Sequence, residues 1–414
     1  MNDLLHTPTG LQDIYSEACM RKNILSARIL RILHIYGYQE IQTPTFEFFD
    51  IFNHERGTIS SKSMYKFIDR DGSTLVLRPD FTPQIARAAS KYFHDEKIPL
   101  RFSYVGNTFI NHSDLQGRLK ESTQIGAEYI GENSADADAE LIALAVHTLK
   151  ASGLEDFQID IGHVGFFRAL TEDLKLPEDE IEKLRGYIAD KKTFGVESML
   201  RRMDISEKQK EIFLQMPVLF GSVGVLSQAR SMTDNAEALK ILDYLQALYE
   251  LIVRYGFEKY VTIDLGMLSD YNYYTGIILH GYTYGTGVVI AKGGRYDRLL
   301  GQFGKEAPSI GFVIELDELL TALSRQKIDI PLEEKGTMIL YKETYRNEAI
   351  RMAGQLRDIN RTVSMICFDE ALSVEDYLDY CRRFQLDSIL FFDEPSSLCK
   401  IDVIDGNTRR MPLA

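Results

Sequence analysis

The chain has 414 residues, is 45% hydrophobic, and sets 47 Lys and Arg against 61 Asp and Glu for a net charge of −14. That length suits two or three domains with a sizeable core, and the acidic field repels nucleic acid at long range. No apolar run is long enough to span a membrane and the start shows no basic-then-apolar export signal, so a soluble cytoplasmic protein is expected.

Ser16 to Ile35 has helical periodicity, with Leu25, Ile29 and Leu33 on one side and Gly37 as a stop. Tyr38 to Thr43 alternates like a strand and ends at Pro44. Met64–Asp69 and Ser73–Leu77 read as a hairpin around Asp71-Gly72. Pro83 to Phe93 is a helix, and Leu100–Asn107 and Ser122–Ile130 are strands joined by a polar loop. Residues 168–258 are charged and helical, with no strand alternation, and read as an insertion in a sheet domain. Strands are expected again at Tyr260–Leu265, Gly276–Tyr284 and Gly287–Ala291, and a closing helix at 312–324. Residues 326–336, ending Pro331-Leu-Glu-Glu-Lys-Gly336, form a linker. Beyond it, strands at Met338–Tyr341, Thr362–Cys367 and Ser388–Phe392 alternate with helices at Arg346–Asp358 and Val374–Phe384, which predicts a small, largely parallel α/β domain over 337–414.

Cys19, Cys367, Cys381 and Cys399 make no C-x-x-C spacing and no His pair stands at ligand spacing. Small buried thiols are expected, with no metal and no disulfide framework.

Several segments, in order, resemble the histidyl-tRNA synthetase family of class II synthetases. They are Pro8-Thr-Gly-Leu-Gln-Asp13, Gly37-Tyr-Gln-Glu-Ile-Gln-Thr-Pro44 with Glu47, and Leu77-Arg-Pro-Asp-Phe-Thr82. Tyr104-Val-Gly-Asn-Thr-Phe109, Gln124-Ile-Gly-Ala-Glu128 and Asn272-Tyr-Tyr-Thr-Gly276 follow, then Ala291-Lys-Gly-Gly-Arg-Tyr-Asp297 and Ser309-Ile-Gly-Phe312. Any one is weak; the ordered set is specific. The resemblance implies an antiparallel-sheet α/β (α+β) domain over 1–325 carrying the helical insertion, and a dimer built through the segment at 37–47. It also implies a histidine pocket. Asp80, Thr82 and Gln124 match the groups that hold the amino group, as a carboxylate and neutral oxygens suit an ammonium's donors. Glu128 and Tyr274 match the imidazole readers, and Tyr273 and Tyr296 could line the same cavity. The same residues could instead be remnants that only maintain the fold.

Family arginines that face ATP and the histidine carboxylate are missing. Ile110 follows Phe109 where one belongs, with His112 in place of its partner glutamate; Ser269 stands at the second position. Glu315-Leu-Asp-Glu318 stands where the third motif should end Gly-Leu-Glu-Arg. Phosphoryl chemistry needs positive charge where negative charge develops, and losing one such donor costs about 3–4 kcal/mol. Amino-acid activation is therefore not expected. His112 reads as an exposed loop residue rather than a catalytic one, and Arg118 could replace a lost arginine.

A synthetase-like chain of this kind resembles the regulatory subunits of ATP phosphoribosyltransferase, in particular through Leu77-Arg-Pro-Asp-Phe-Thr-Pro-Gln84. That resemblance implies a short-form catalytic partner, a hetero-octamer, L-histidine as effector, and no cofactor. The last region shows no Lys and Arg cluster with interleaved aromatics, so tRNA is not an expected partner. A divergent histidyl-tRNA synthetase, and a synthetase-like scaffold for another partner or RNA, remain the alternatives.

Overall fold

The computed structural model describes residues 5–52, 59–112, 118–172, 174, 176–268, 273–332 and 336–412. These residues divide into two compact units, one within 1–12 and 25–329, the other within 13–24 and 330–414.

Helix α1 (Ser16–Ile35) buries Leu25, Ile29 and Leu33, four apart and so on one face. Gly37, at φ +84°, takes the left-handed turn that ends it. The strand expected over 38–43 shrinks to β1 (Gln39–Glu40). The Arg78 guanidinium takes the Thr43 carbonyl at 2.8 Å, which removes that group from any ladder. Strands β2 (Phe46–Phe48), β3 (Lys66–Ile68) and β4 (Thr74–Leu77) make a small antiparallel sheet in the order β2-β4-β3, with Gly72 at φ +87° turning the hairpin.

Helix α2 (Thr82–Tyr92) leads to β5 (Leu100–Phe109) and β6 (Glu121–Ile130), then α3 (Ala135–Ala151) and β7 (Phe157–His163). The insertion supplies α4 (Val164–Glu172), α5 (Glu178–Ala189), α6 (Thr193–Leu200), α7 (Glu207–Gln215), β8 (Phe220–Gly221), α8 (Gly224–Ser231) and α9 (Ala236–Tyr255). Strands β9 (Val261–Asp264), β10 (Ile277–Thr283), β11 (Ala291–Arg295) and β12 (Ser309–Glu315) follow, then α10 (Leu316–Arg325).

The main sheet has nine strands in the order β1-β5-β6-β12-β11-β10-β7-β9-β8. Its centre, β5 to β7, is antiparallel throughout, as expected. Parallel pairs occur only toward the edges, β1 with β5 and β7 with β9. Three expectations are corrected. The segment at 168–258 is not wholly helical, because β8 pairs with β9; two residues are too short to show alternation. The strand expected at 287–291 begins only at Ala291 and runs through two glycines. Residues 312–315 extend β12, so the closing helix starts at Leu316.

A buried ion pair ties the insertion to the sheet. Arg295 on β11 pairs with Asp138 on α3, and Arg295 Nη1 reaches Asp297 at 3.1 Å. The Tyr244 hydroxyl of α9 donates to the same Asp138 carboxylate.

In the other unit, β13 (Gly336–Tyr341), α11 (Arg346–Asp358), β14 (Val363–Cys367), α12 (Val374–Arg383) and β15 (Leu386–Glu394) give the expected alternation, with β13 parallel to both β14 and β15. The chain then adds an antiparallel extension, β16 (Ser397–Asp402) and β17 (Thr408–Pro412), which the reading as a largely parallel domain left out. The cysteines are unpaired. Cys381 alone is buried and Cys367 is exposed, which corrects the expectation of buried thiols.

Candidate functional site

The central strands present glycines where a cleft forms above the sheet. In register across β6, β12 and β11 stand Glu128, Gly311 and Gly294. A Cβ on Gly311 would lie 1.7 Å from Glu128 Oε2, and one on Gly293 would lie 2.3 Å from the Gly311 carbonyl oxygen. A Cβ on Gly294 would meet the Ile277 carbonyl at 2.6 Å, and one on Gly126 the Tyr104 hydroxyl at 2.3 Å. A side chain at any of these positions would force a neighbour to move.

Above this floor is a cleft of about 490 Å³ including its open mouth. Asp80, Thr82, Gln124, Glu128, Tyr273, Tyr274 and Tyr296 all line it, so residues from distant segments converge. Arg118 does not line it and is exposed, so the arginine expected to compensate is not in the cleft. His112 is half-buried rather than exposed and also does not line the cleft. Burial, then Arg118 and Lys292, hold its imidazole below its ordinary pKa. Ile110 does line the cleft, and Ser269 lies outside the described residues.

Arg78 sets the wall that carries Asp80. Its guanidinium donates to Asn107 O at 2.7 Å and lies 4.0 Å from the centre of the Phe81 ring, binding the end of β4 to β5. Asp80 Oδ1 then accepts the Thr82 N–H at 3.2 Å, at the start of α2. Phe81 stacks on Tyr104, ring centres 4.5 Å apart, beneath the same wall.

Glu128 is 1% exposed. It accepts the Thr82 hydroxyl at 2.8 Å and also the Tyr296 hydroxyl. Burial pushes its carboxyl up to about 8, against those two hydrogen bonds and with help from Asp80. The shift favours the protonated form of Glu128.

Two further residues shape the other end. Lys292 Nζ lies 2.9 Å from Glu315 Oε1, and Gln124 Nε2 donates to the same oxygen at 3.0 Å. Neither Lys292 nor Glu315 follows from the family's site residues. The signal in the sequence was a charged residue directly before paired glycines. Asp317 Oδ2 accepts the Thr123 N–H at 2.7 Å, fastening α10 to β6. Among the described residues no cluster of His, Cys, Asp and Glu could hold a metal, and no helix is long and apolar enough to cross a membrane.

A glycine-floored cleft on a central antiparallel sheet, with α2 at its wall and a helical insertion after β7, defines a class II synthetase-like protein. The histidyl-tRNA synthetase family profile matches residues 10–319. A relative from Acetivibrio thermocellus, named ATP phosphoribosyltransferase regulatory subunit, is 42% identical over 353 residues, 85% of this chain and 84% of its own length. One of the same name from Ruminiclostridium cellulolyticum is 36% identical over 98% of this chain and 96% of its own. The solved structure of an ATP phosphoribosyltransferase regulatory subunit/histidyl-tRNA synthetase from Bacillus halodurans superposes with a TM-score of 0.84 at 30% identity, covering 95% of this chain and 99% of that one. The chain belongs to the ATP phosphoribosyltransferase regulatory subunit family.

Proposed function

We propose that this chain is the non-catalytic subunit that a short-form ATP phosphoribosyltransferase requires in the first step of L-histidine biosynthesis, and that it confers feedback inhibition by L-histidine. The observation that carries the reading is the cleft, which keeps polar groups suited to an amino acid and whose one cation among the described lining residues, Lys292, is paired with Glu315. Ile110 lines it where the second motif's arginine belongs. Glu318 takes the third motif's arginine position, half-buried, its carboxyl pushed up by burial and by Glu315 and Asp317. Acids there repel phosphate charge.

In this reading Asp80, Thr82 and Gln124 take the ammonium of L-histidine, and Glu128, Tyr273, Tyr274 and Tyr296 read its imidazole. Arg118 has no part in the pocket. The synthetase-like domain spans 1–325, with a linker over 326–336 and a small domain over 337–414. The chain dimerises and joins catalytic chains in a hetero-octamer, without tRNA. Exposed apolar side chains on the small sheet, Phe46 and Phe48 at 53% and Ile68 at 67%, support a contact with a second copy beside the 37–47 segment. Feedback follows if L-histidine binds the inactive state of the assembly more tightly than the active one.

Mixing the purified chain with a short-form catalytic chain tests this. Transferase activity is expected only in the mixture, suppressed by L-histidine, with no histidine-dependent exchange of pyrophosphate into ATP by this chain alone. A catalytic chain fully active by itself, or robust exchange by this chain, overturns the reading.

A further inference from the structure

The cleft's two ends differ in charge. Two residues along from the row of Glu128, Gly311 and Gly294 stand Gly126, Val313 and Lys292; two residues further stand Gln124 and Glu315. Alternation along a strand puts all three rows on one face, and at roughly 3.3 Å per residue the outer rows lie about 13 Å apart. Glu128 with its Thr82 and Tyr296 donors marks one end. Lys292 and Gln124 mark the other, both holding Glu315 Oε1.

Among the described residues lining the cleft, Lys292 is the one cation. Gln124 lines it as well, and its buried amide oxygen has no hydrogen-bond partner among the described residues. A carboxylate that accepts from an ammonium and an amide N–H is the arrangement that a bound amino acid's carboxylate would also seek. Here the protein's own side chain makes it. The Glu315 side chain is 16% exposed, at the junction of β12 and α10, so it has a route to water.

We infer that Lys292 reads the carboxylate of the α-amino acid bound in this cleft, and that Glu315 holds that place until the ligand's carboxylate displaces it. The inference rests on the effector reading above. The exchange swaps one carboxylate for another, so the Lys292 charge is paired before and after binding. The flexible lysine stem lets the ammonium follow either partner. The arrangement also selects a zwitterion. A simple anion must displace Glu315 without any contact to Asp80, whereas an amino acid engages both ends at once.

Calorimetric titration of the full chain with L-histidine and with histamine, which lacks only the carboxylate, tests this. The wild type should prefer L-histidine. Lys292→Met should weaken L-histidine about 10- to 100-fold, the range for one hydrogen bond to a charged group, and leave histamine within about twofold. Glu315→Gln should tighten L-histidine several-fold and leave histamine unchanged. A Lys292→Met chain that binds L-histidine as wild type does, or loses both ligands equally, overturns this inference and leaves the effector reading standing. If Lys292→Met does not fold, equal wild-type affinity for the two ligands, or no gain in discrimination in Glu315→Gln, overturns it. A wild-type chain that binds neither ligand overturns both.

Discussion

Gly311→Ala is the sharpest perturbation of the cleft. The new methyl would lie 1.7 Å from Glu128 Oε2 and 2.6 Å from its Cδ, where ordinary contact begins at 3.4 Å. Backbone blocks the other side, with Ala127 O 3.0 Å from the same point. The carboxyl group must therefore retreat by about 1.7 Å, the shortfall from ordinary contact. A retreat of that size breaks the Thr82 bond, now 2.8 Å, and the Tyr296 bond. Each of the two buried bonds lost costs about 1–3 kcal/mol and overpacking adds about 1–3, so destabilisation of about 3–9 kcal/mol is expected. Urea denaturation should show a clear fall in midpoint, and calorimetry no L-histidine binding. A stability change below about 0.5 kcal/mol, the usual size for a substitution that touches nothing, together with unchanged binding would refute the steric argument. Gly354→Ala is the control. Nothing lies within 4 Å of its Cβ position in α11, so it should stabilise by about 0.5–1 kcal/mol in the same assay.

Three other measurements follow. Glu128 has a folded-state pKa of about 8 against an ordinary 4.5, so the folded state holds its proton more tightly and this group's contribution to stability falls as pH rises through that window. At 1.36 kcal/mol per pKa unit the fall approaches roughly 3–5 kcal/mol, and Glu128→Gln should abolish that part of the Tm loss between about pH 5 and 8; an identical pH profile in the variant contradicts it. An imidazole N–H donated by L-histidine favours the charged form of Glu128 and lowers its pKa on binding, so titrations at pH 7 in buffers of different ionisation enthalpy should show proton release that Glu128→Gln lacks. Arg295→Met strands the Asp138 carboxylate, 0% exposed, and should destabilise by about 3–5 kcal/mol, with Asp138→Leu in the same chain restoring part of it; no recovery in the double variant would locate the loss elsewhere.

The sheet's centre was legible because β5 opens with apolar alternation and β6 and β10 sit beside recognisable segments. Helix α3 was not, since Ala137 to Leu149 is buried on nearly every side and leaves no stripe for a period to reveal. Strand β11 was misplaced because propensity favours Val288 to Ile290, whereas the ladder runs through glycines that strand propensity disfavours. The residues gathered in the cleft were legible from ordered segments. Arg118 was not placed by the sequence because spacing in a polar loop says nothing about which way a side chain faces. Lys292 was not legible because it stands at none of the three positions, 110, 269 and 318, where the family carries arginine.

The glycine floor also has a consequence for how this scaffold can change. Gly294 faces the Ile277 carbonyl and Gly126 the Phe312 carbonyl, both backbone atoms that no neighbouring substitution can trim. The depth of the hollow is thus set by main chain. Drift in what the cleft accepts has to come from its rim, at positions such as Ile110, Gln124 and Lys292, where side chains can be exchanged singly while the platform beneath stays as it is.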